Sequence, residues 1–390
     1  MRLTNVRADT PLRILHVIEA TTAGVRRYVT TLAAGLRARG LDVAVAAPWQ
    51  RSEHYGDTAF VEDLQRQGVV FHPVPMRRQI GPWDGSALLA LYRLLREGQF
   101  ALVHTHSSKG GFLGRVAAHG CHVPVVHTPN GLYFLEKTGV SRQFYLNLER
   151  LAGSLTTAMV AVSDGEKKVL ISNRIVAAER VRVIHNCVDV ARIDQHAGLT
   201  RASAKVRLGI PLDQPVVGAV GRLVPQKAPL TFVQAARQVA AAAPGTLFVW
   251  VGSGPLQATV ADLARAEGIP LRLLGHREDV WDCLRAFDVF VLASRYEGLS
   301  FSLLEAMALR LPVVVTDVVG TRDVVDDQVS GLVVPADVPA ALADAILSLL
   351  RDPPRADRLA HAGRKKVVAQ FSVERMLDSH QALYEELCAR

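Results

Sequence analysis

Two carboxylates, Glu297 and Glu305, stand eight positions apart in a segment whose residue pattern suggests a ligand site. Glu297 precedes Gly298 in a predicted turn, whereas Glu305 lies in a run of strong helix formers. The apolar residues 289–292 directly before them predict a buried strand. At such a junction the first backbone N–H groups of the helix lack internal partners and favour an anionic ligand. Carboxylates beside an anion site are explained if the ligand carries sugar and ribose hydroxyls next to a diphosphate.

The composition is that of a globular protein. The chain has 390 residues, 49% apolar and 6% aromatic, so two or three domains are expected. No apolar run approaches the roughly 18–20 residues that span a bilayer, and the N-terminal segment lacks the apolar core of a signal peptide. The cysteines fit neither a zinc pattern nor a disulfide framework, which favours a reducing cytoplasm. They are widely spaced: Cys121, Cys187, Cys283 and Cys388.

The formal net charge of +8 is unevenly placed. Residues 1–190 hold 23 Lys and Arg against 15 Asp and Glu, whereas residues 191–390 hold 22 of each kind. The excess either serves solubility or attracts anionic lipid headgroups or a phosphorylated acceptor. Because the basic residues are dispersed and no motif interleaves them with aromatics, nucleic acid is not an expected partner.

Short β-branched apolar runs alternate with helical segments in both halves, which predicts parallel sheets with helices on both faces. Helices are predicted over residues 28–39, 83–97 and 112–119, the last after a turn at Gly110-Gly111. The predicted strands of the first half are 13–18, 42–47, 69–74, 102–106, 123–127, 157–162 and 181–184. Those of the second half are 215–220, 247–251, 271–274, 289–292, 312–315 and 331–334.

This pattern predicts an α/β protein of two doubly wound, Rossmann-like domains. We expect an N-terminal domain over residues 1–190 and a C-terminal domain over 191–371, with a polar linker region over 188–214. Two such domains face a central cleft at the carboxyl ends of their strands, where open α/β sheets bind ligands. The last segment, 372–390, is predicted to be a helix, and the sequence allows it to pack back onto the first domain.

Several motifs coincide along the chain. They are Gly221-Arg222-Leu223 with Lys227, Val251-Gly252-Ser253-Gly254-Pro255, Glu297-Gly298-Leu299 with Glu305-Ala306, and Gly331-Leu332-Val333-Val334-Pro335. Together they resemble the retaining, nucleotide-sugar-dependent glycosyltransferases of family 4, which have the two-domain GT-B fold. The resemblance covers nearly the whole chain. Residues 104–109 and 127–131 resemble members that act in polysaccharide and lipid-linked oligosaccharide assembly.

The resemblance implies a donor site in the C-terminal domain. Arg222 and Lys227 would pair with the donor diphosphate and stabilise the charge that develops on it; on spacing alone they would be two solvated surface cations. Glu305 would accept hydrogen bonds from the ribose, the alternative being an exposed helix residue favoured by the helix dipole. Glu297 would contact the transferred sugar or support charge at its anomeric carbon. Because one carboxylate serves the nucleotide, the two do not form a glycosidase acid/base pair.

Further donor contacts are implied by the same motifs. Gly252 and Gly254 would let the backbone approach the ligand, unless they only form a strand-to-helix turn. The implied set comprises the amides of Gly298, Leu299 and Ser300, the glycines Gly221, Gly252 and Gly254, and Arg277 in the loop that borders the base.

The first domain departs from the family pattern in two places. Family members have two adjacent glycines after the first strand, where this chain has Ala23 and then Gly24, which would approach the diphosphate or the acceptor. Many relatives have a histidine near the reaction centre where this chain has Asn130, a side chain that cannot act as a base near neutral pH. His127 either substitutes for it or is a buried wall residue. A departing phosphate oxygen can accept the acceptor proton, so the base stays unassigned.

The sequence therefore predicts a retaining glycosyltransferase that moves a sugar from a nucleotide-diphosphate sugar, with UDP favoured, to a glycan or polyprenyl-linked acceptor in cell-surface polysaccharide biosynthesis. No cofactor or metal is expected, because Asp323, Asp326 and Asp327 are interpreted as a solvated helix face. The expected location is the cytoplasm, with the basic first half at an anionic inner membrane face.

Other readings stay open. The acceptor could be small and water-soluble, such as a cyclitol or a free sugar. The replacement at Asn130 also allows a nucleotide-sugar-binding protein that has lost catalysis. An epimerase or a phosphorylase on the same fold is a further alternative, because fold alone does not determine function.

Overall fold

A computed structural model describes residues 11–49, 58–195 and 200–389. The N-terminal residues 1–10, where no signal peptide is expected, lie outside this range, as does Arg390 at the end of the predicted terminal helix. The chain divides into two compact units, one up to His185 and again from Glu374, the other over Asn186–Val373. In the described ranges, no helix combines the length and the apolar character needed to cross a bilayer.

The first unit is built on a sheet of seven parallel strands in the order β3-β2-β1-β4-β5-β6-β7. Strands β4, β5 and β6 are buried throughout, because helices cover both faces of the sheet, as their apolar runs predict. The strands are β1 (Arg13–Ile18), β2 (Asp42–Ala47), β3 (Val70–Pro73), β4 (Leu102–His106), β5 (Val125–Thr128), β6 (Ala158–Ala161) and β7 (Val181–Val183).

The helices between these strands connect the carboxyl end of one strand to the amino end of the next, as parallel pairing requires. They are α1 (Ala23–Ala38), α2 (Thr58–Arg66), α3 (Trp83–Gly98), α4 (Ser108–Gly120), α5 (Gly139–Ser154) and α6 (Asp164–Ser172). Short 3-10 turns cover Tyr133–Glu136 and Ala178–Arg180. Helix α1 begins earlier than the predicted start at residue 28.

The predicted turn at Gly110-Gly111 is wrong, because both glycines lie inside α4. A Cβ atom on Gly110 would lie 2.7 Å from the backbone nitrogen of Glu19, and one on Gly111 would lie 2.4 Å from Cε1 of His127. The glycines therefore allow the helix to pack closely against the sheet. Two adjacent glycines are also typical of a turn, so the sequence alone does not distinguish the two roles.

The second unit has six parallel strands in the order β10-β9-β8-β11-β12-β13. They are β8 (Val216–Val220), β9 (Leu247–Val251), β10 (Leu271–Leu273), β11 (Val289–Leu292), β12 (Val313–Thr316) and β13 (Leu332–Val334). The helices are α7 (Val190–Gln195), α8 (Arg201–Arg207), α9 (Pro229–Ala242), α10 (Gln257–Ala266), α11 (Val280–Arg285), α12 (Phe301–Ala308), α13 (Thr321–Val324), α14 (Pro339–Arg351) and α15 (Pro353–Gln370). The prediction of two doubly wound α/β domains is confirmed.

The last helix, α16 (Val373–Cys388), supplies buried side chains to the first unit. His380 accepts a hydrogen bond from the Tyr28 hydroxyl at 2.8 Å and donates to the carbonyl of Met376. The Tyr384 hydroxyl hydrogen-bonds to His104 on β4. These polar contacts connect the end of the chain to the first sheet.

Candidate functional site

The predicted donor residues of the second unit follow neighbouring strands at one edge of the sheet. In this sheet β8 lies between β9 and β11, so the strand order reverses at the β8–β11 pair, where open α/β sheets bind ligands. The loops after β8 and β11 are held together by backbone contacts. Gln226 accepts from the Arg295 amide at 2.8 Å and its side chain donates to the carbonyl of Tyr296 at 3.1 Å.

The two loops also share an ion pair between Lys227 and Glu297. The Lys227 ammonium lies 2.6 Å from Oε1 of Glu297, and the two side chains are only 15% and 7% exposed. The motif assigns Lys227 to the diphosphate and Glu297 to the sugar. The structure instead brings the two charges into direct contact. A ligand that binds either side chain must therefore bind the intact ion pair or separate the two charges.

Arg222 differs from Lys227 although both follow β8. It is exposed, and its guanidinium forms no hydrogen bond or ion pair with any residue in the described part of the chain. Its guanidinium can therefore turn toward a diphosphate without breaking an internal contact.

The turn between Glu297 and helix α12 presents unpaired backbone donors. Among the described residues, no group accepts a hydrogen bond from the amides of Gly298, Leu299 or Ser300. Ser300 is the N-cap of α12, and its hydroxyl accepts from the Leu303 amide. Successive free amides at a helix N-terminus form a site for an anion or for sugar oxygens.

Two residues outside the motif of Glu297 and Glu305 contact the backbone carbonyls of this turn. The buried Asn186 donates from Nδ2 to the carbonyl of Leu299 at 2.7 Å. Gly320, at φ 84°, packs so closely that a Cβ atom there would lie 2.0 Å from the carbonyl oxygen of Gly298. Neither residue has a sequence signal that links it to the turn.

Glu305 is buried, with 5% of its surface exposed. Its Oε1 accepts a hydrogen bond from the indole N–H of Trp281 on α11. The alternative of an exposed residue at the helix N-terminus is therefore wrong. A buried carboxylate inside an apolar helix needs polar partners, and the indole orients it. Trp281 lies outside every motif considered above.

The glycines of the donor motif are explained by backbone packing. A Cβ atom on Gly252, at φ 127°, would lie 2.1 Å from the carbonyl oxygen of Gly221, and one on Gly254 would lie 2.5 Å from that of Leu223. The loops after β8 and β9 therefore contact each other directly. This contact accounts for Gly252 and Gly254 without a ligand.

Arg277 forms a two-point salt bridge with Asp279, with Nε 2.7 Å from Oδ1. The hydrogen bond to Asp279 raises the pKa of Arg277, and the same contact lowers the pKa of the carboxyl. A nucleotide base near this loop must compete with Asp279.

The predicted residues of the first unit lie at the carboxyl edge of its sheet. Gly24 is in the first turn of α1, directly after β1. Asn130 and Gly131 follow β5 and have positive φ angles of 54° and 110°. Asn130 donates from Nδ2 to the carbonyl of Thr128 at 3.2 Å. Both segments therefore have their backbone at the edge where this type of sheet binds ligands.

Glu166, which the sequence does not single out, holds the Asn130 loop. Its Oε1 accepts from the Gly131 amide at 3.3 Å and its Oε2 from the Val162 amide at 2.7 Å. Burial raises the pKa of Glu166 to about 7, although the two amides oppose the shift. The available signal is Ser163-x-x-Glu166, a capping-box spacing, and Ser163 does accept from the Glu166 amide.

His127 is completely buried. Its Nδ1 shares a hydrogen bond of 2.9 Å with the Thr105 hydroxyl, and its ring packs under Gly111. Burial, followed by the nearby charge of Arg115, holds the pKa of His127 well below its usual value. The described geometry is that of a neutral wall residue.

A cluster of buried histidines, which the sequence does not predict, lies where β1 and β4 pair. His16, His104 and His106 have ring nitrogens within 4.8 Å of one another, a spacing that could hold a metal ion. Four of the six ring nitrogens already take part in internal contacts, whereas His16 Nε2 and His106 Nδ1 are buried without a hydrogen-bond partner among the described residues. His16 Nδ1 lies 3.0 Å from His106 Nε2, and His104 bonds to Thr128 at 2.7 Å and to Tyr384. Burial lowers the pKa of all three, so the rings are neutral.

Of the solvated helix face expected at Asp323, Asp326 and Asp327, the exposure of Asp326 and Asp327 is confirmed, but the shared helix face is wrong. Only Asp323 lies in α13. Asp326 pairs with Lys366 at 2.9 Å, and Asp327 accepts from the Val333 amide at 2.8 Å. Asp327 therefore holds the turn before β13, and Asp326 connects that turn to α15.

Two family models match the chain. The model for Glycosyltransferase Family 4 matches residues 22–192, and the model for Glycosyl transferases group 1 matches residues 200–366. One similar structure, Anabaena Alr3699/HepE in complex with UDP, has 19% identity and a TM-score of 0.80, covering 96% of this chain and 100% of that one. This likeness supports the fold.

Two curated relatives are each 32% identical to the chain. One is the Escherichia coli UDP-Gal:alpha-D-GlcNAc-diphosphoundecaprenol alpha-1,3-galactosyltransferase, matched over 78% of this chain and 80% of the relative. The other is the alpha-maltose-1-phosphate synthase of Mycolicibacterium smegmatis, matched over 74% and 79%. With two doubly wound domains and relatives at this identity, the chain belongs to the family 4 glycosyltransferases of the GT-B fold.

Proposed function

We propose that the chain transfers a hexosyl group from a UDP-sugar to a lipid-linked glycan in cell-surface polysaccharide assembly, with retention of anomeric configuration and without a metal. The observation that carries the proposal is the Lys227–Glu297 pair beside the free amides of Gly298, Leu299 and Ser300. The names of the Escherichia coli relative and of the UDP-bound structure support the lipid-linked acceptor and the nucleotide.

The C-terminal domain, residues 191–371, would bind the donor. The amides and Arg222 would hold the diphosphate, and Glu305, oriented by Trp281, would accept hydrogen bonds from the ribose. Lys227 would stabilise the charge that develops on the leaving diphosphate, since a fixed cation aimed at that charge costs no reorganisation during the reaction. Glu297 would contact the sugar hydroxyls. Backbone amides and cations would thus neutralise the diphosphate charge, as a divalent ion does elsewhere.

The N-terminal domain, residues 1–190, would bind the acceptor. In the transfer step the bond from the anomeric carbon to the diphosphate oxygen breaks, and the acceptor oxygen bonds to the same face of the sugar. The departing phosphate oxygen takes the acceptor proton, so no protein base is required. Asn130 would orient a hydroxyl through its amide. The basic excess of this domain would keep the enzyme at an anionic cytoplasmic membrane face as a peripheral protein.

Transfer from a nucleotide-sugar panel tests the proposal. A thermal-shift series with UDP-, GDP- and ADP-sugars should show the largest increase in melting temperature for a UDP-sugar. That donor should then glycosylate a short-chain lipid diphosphate carrying N-acetylglucosamine, in the presence of EDTA, and NMR should show the donor's anomeric configuration in the product. Tight binding without turnover would favour a non-catalytic binding protein. An inverted product or loss of activity in EDTA would contradict retention or metal independence.

A small water-soluble acceptor is the second candidate. The relative from Mycolicibacterium smegmatis, named as a maltose-1-phosphate synthase, has the same identity as the lipid-linked relative. Efficient transfer to a free sugar phosphate, with none to the lipid diphosphate, would favour this candidate.

A further inference from the structure

Helix α5 presents an apolar stripe to solvent. Val140, Phe144 and Leu151 are 88%, 54% and 58% exposed. Because an α-helix repeats every 3.6 residues, these positions lie on one face, which also carries the exposed polar Asn147 between Phe144 and Leu151. Exposed apolar side chains aligned on one helix face indicate a contact with an apolar phase or a partner, unlike single exposed ones.

A cluster of arginines lies beside the stripe. A surface cavity of about 430 Å³ is lined by Arg150, Arg174 and Arg180, and its described lining contains no carboxylate. Arg150 and Ser154 of α5 line the cavity on either side of Leu151 in the chain, so the cavity lies beside the C-terminal end of the stripe. Arg150 donates to the carbonyl of Asn173 at 2.9 Å and Arg180 to that of Thr156 at 3.1 Å. These carbonyls orient the guanidinium groups without neutralising them.

The surrounding charge is positive. Residues 137–182 contain eight Lys and Arg against four Asp and Glu. Two of those acids do not oppose the arginines at the surface: Glu149 pairs with the buried Arg115 at 3.1 Å, and Glu166 is buried. The other two acids, Asp164 and Glu179, are exposed, so the surface of this segment keeps an excess of cations over accessible carboxylates.

We propose that the α5 stripe and the arginine cavity form one docking surface for the anionic face of a phospholipid bilayer. Apolar side chains on one face with basic residues beside them are typical of a helix that lies in the membrane interface. The guanidinium groups would bind headgroup phosphates through paired hydrogen bonds. The charge favours this occupant over an apolar protein partner, because an interface between proteins would have to neutralise three arginines.

The inference rests on the proposed lipid-linked acceptor and adds the surface that brings the enzyme to it. Helix α5 follows the Asn130 loop in the chain and runs from the carboxyl edge of the sheet back to the start of β6. A bilayer contacting its first turns would present a lipid diphosphate near the edge where the acceptor is proposed to bind.

Vesicle co-sedimentation of the full chain tests the surface. The wild type should bind vesicles that contain phosphatidylglycerol, bind phosphatidylcholine vesicles much less, and dissociate as salt is added. Replacing Arg174 by Gln should weaken binding about five-fold, and Arg150→Gln/Arg174→Gln about 25-fold. Phe144→Ser/Leu151→Ser should weaken it at least as much as the single charge removal. The controls are Val206→Ser/Leu212→Ser, which replace exposed apolar residues of the second unit, and Arg358→Gln.

Transfer assays separate this surface from the proposed function. The Phe144→Ser/Leu151→Ser and Arg150→Gln/Arg174→Gln variants should keep transfer to a short-chain, water-soluble lipid diphosphate and lose about ten-fold with a long-chain acceptor in vesicles. Absence of vesicle binding by the wild type, equal binding by the α5 variants, or equal binding to uncharged vesicles would overturn the docking surface. If the wild type binds vesicles through this surface but transfers no sugar to the short-chain acceptor, the proposed function fails and the docking surface stands.

Discussion

Lys227 Nζ lies 2.6 Å from Glu297 Oε1, an ion pair between residues that are 70 positions apart. The pair joins the loop after β8 to the loop after β11, beside three backbone amides that have no acceptor among the described residues. The two residues of such a pair can act together. A donor diphosphate would pair with the Lys227 ammonium, while the sugar hydroxyls would donate hydrogen bonds to the Glu297 carboxylate. The proposed transfer step would therefore depend on both residues together.

A double-mutant cycle on Lys227 and Glu297 should be strongly non-additive. Each single alanine substitution should lower kcat/KM about 10²–10³-fold, because it removes transition-state stabilisation and leaves a poorly solvated charge. The double variant should lose little more than the worse single one. The measurement is steady-state kinetics with the best nucleotide sugar, and Lys365→Ala, an exposed lysine of α15, is the control. Multiplicative losses would show that the two residues act independently.

Trp281→Phe should weaken nucleotide binding more than it slows the chemistry. The substitution keeps an aromatic ring but removes the indole N–H that donates to Glu305. A hydrogen bond to a charged group is worth about 1.5–3 kcal/mol, so the Kd for UDP should rise about ten-fold or more while kcat falls little. Calorimetric titration of UDP measures the change, with the exposed Trp49→Phe as control. An unchanged Kd would exclude Glu305 as an oriented ribose acceptor.

Gly320→Ala should distort the turn between Glu297 and helix α12. Gly245→Ala provides a control for backbone strain. The two glycines have similar φ angles of 84° and 89°. A Cβ atom on Gly320 would lie 2.0 Å from the Gly298 carbonyl, whereas one on Gly245 would have nothing within 4 Å. Both variants should lose about 1–2 kcal/mol of stability from the left-handed backbone. Only Gly320→Ala should also lose UDP affinity and turnover, as binding and rate assays would show. Equal loss of activity in the two variants would contradict this role.

Glu166 should make the protein less stable as pH rises. Burial raises the pKa of this carboxyl from 4.5 to about 7, so between these values the folded state holds a proton that the unfolded state has released. The free energy of unfolding contributed by Glu166 is therefore greatest below the ordinary pKa. It falls by roughly 3 kcal/mol as pH rises through the folded pKa. Denaturant unfolding of wild type and Glu166→Gln at about pH 5 and about pH 8 measures this contribution.

The Gln variant should show a smaller loss of stability between the two pH values, and the exposed Glu374→Gln should behave like the wild type in this respect. Since Glu166 also holds the Gly131 amide, the pH profile of turnover should change in the Gln variant. Identical pH dependence of stability in wild type and variant would show that the carboxyl is not perturbed.

The sequence by itself determines the two-domain α/β class and the strands that end at the site. Short apolar β-branched runs encode buried parallel strands, and Glu297, Gly298 and Ser300 carry a turn and a helix cap in their local residue types. These features depend on neighbours within a few positions of the chain, so pattern alone is enough to predict them.

Only the tertiary structure decided which side chains meet. The contacts of Lys227 with Glu297, of Trp281 with Glu305 and of Gly320 with Gly298 depend on strand order and on the distance between loops. The same holds for Gly110, whose missing side chain serves helix packing and which the sequence predicts as a turn. Periodicity encodes which face of an element is buried. It does not encode the partner across the fold, because that partner is selected by close packing among residues far apart in the chain.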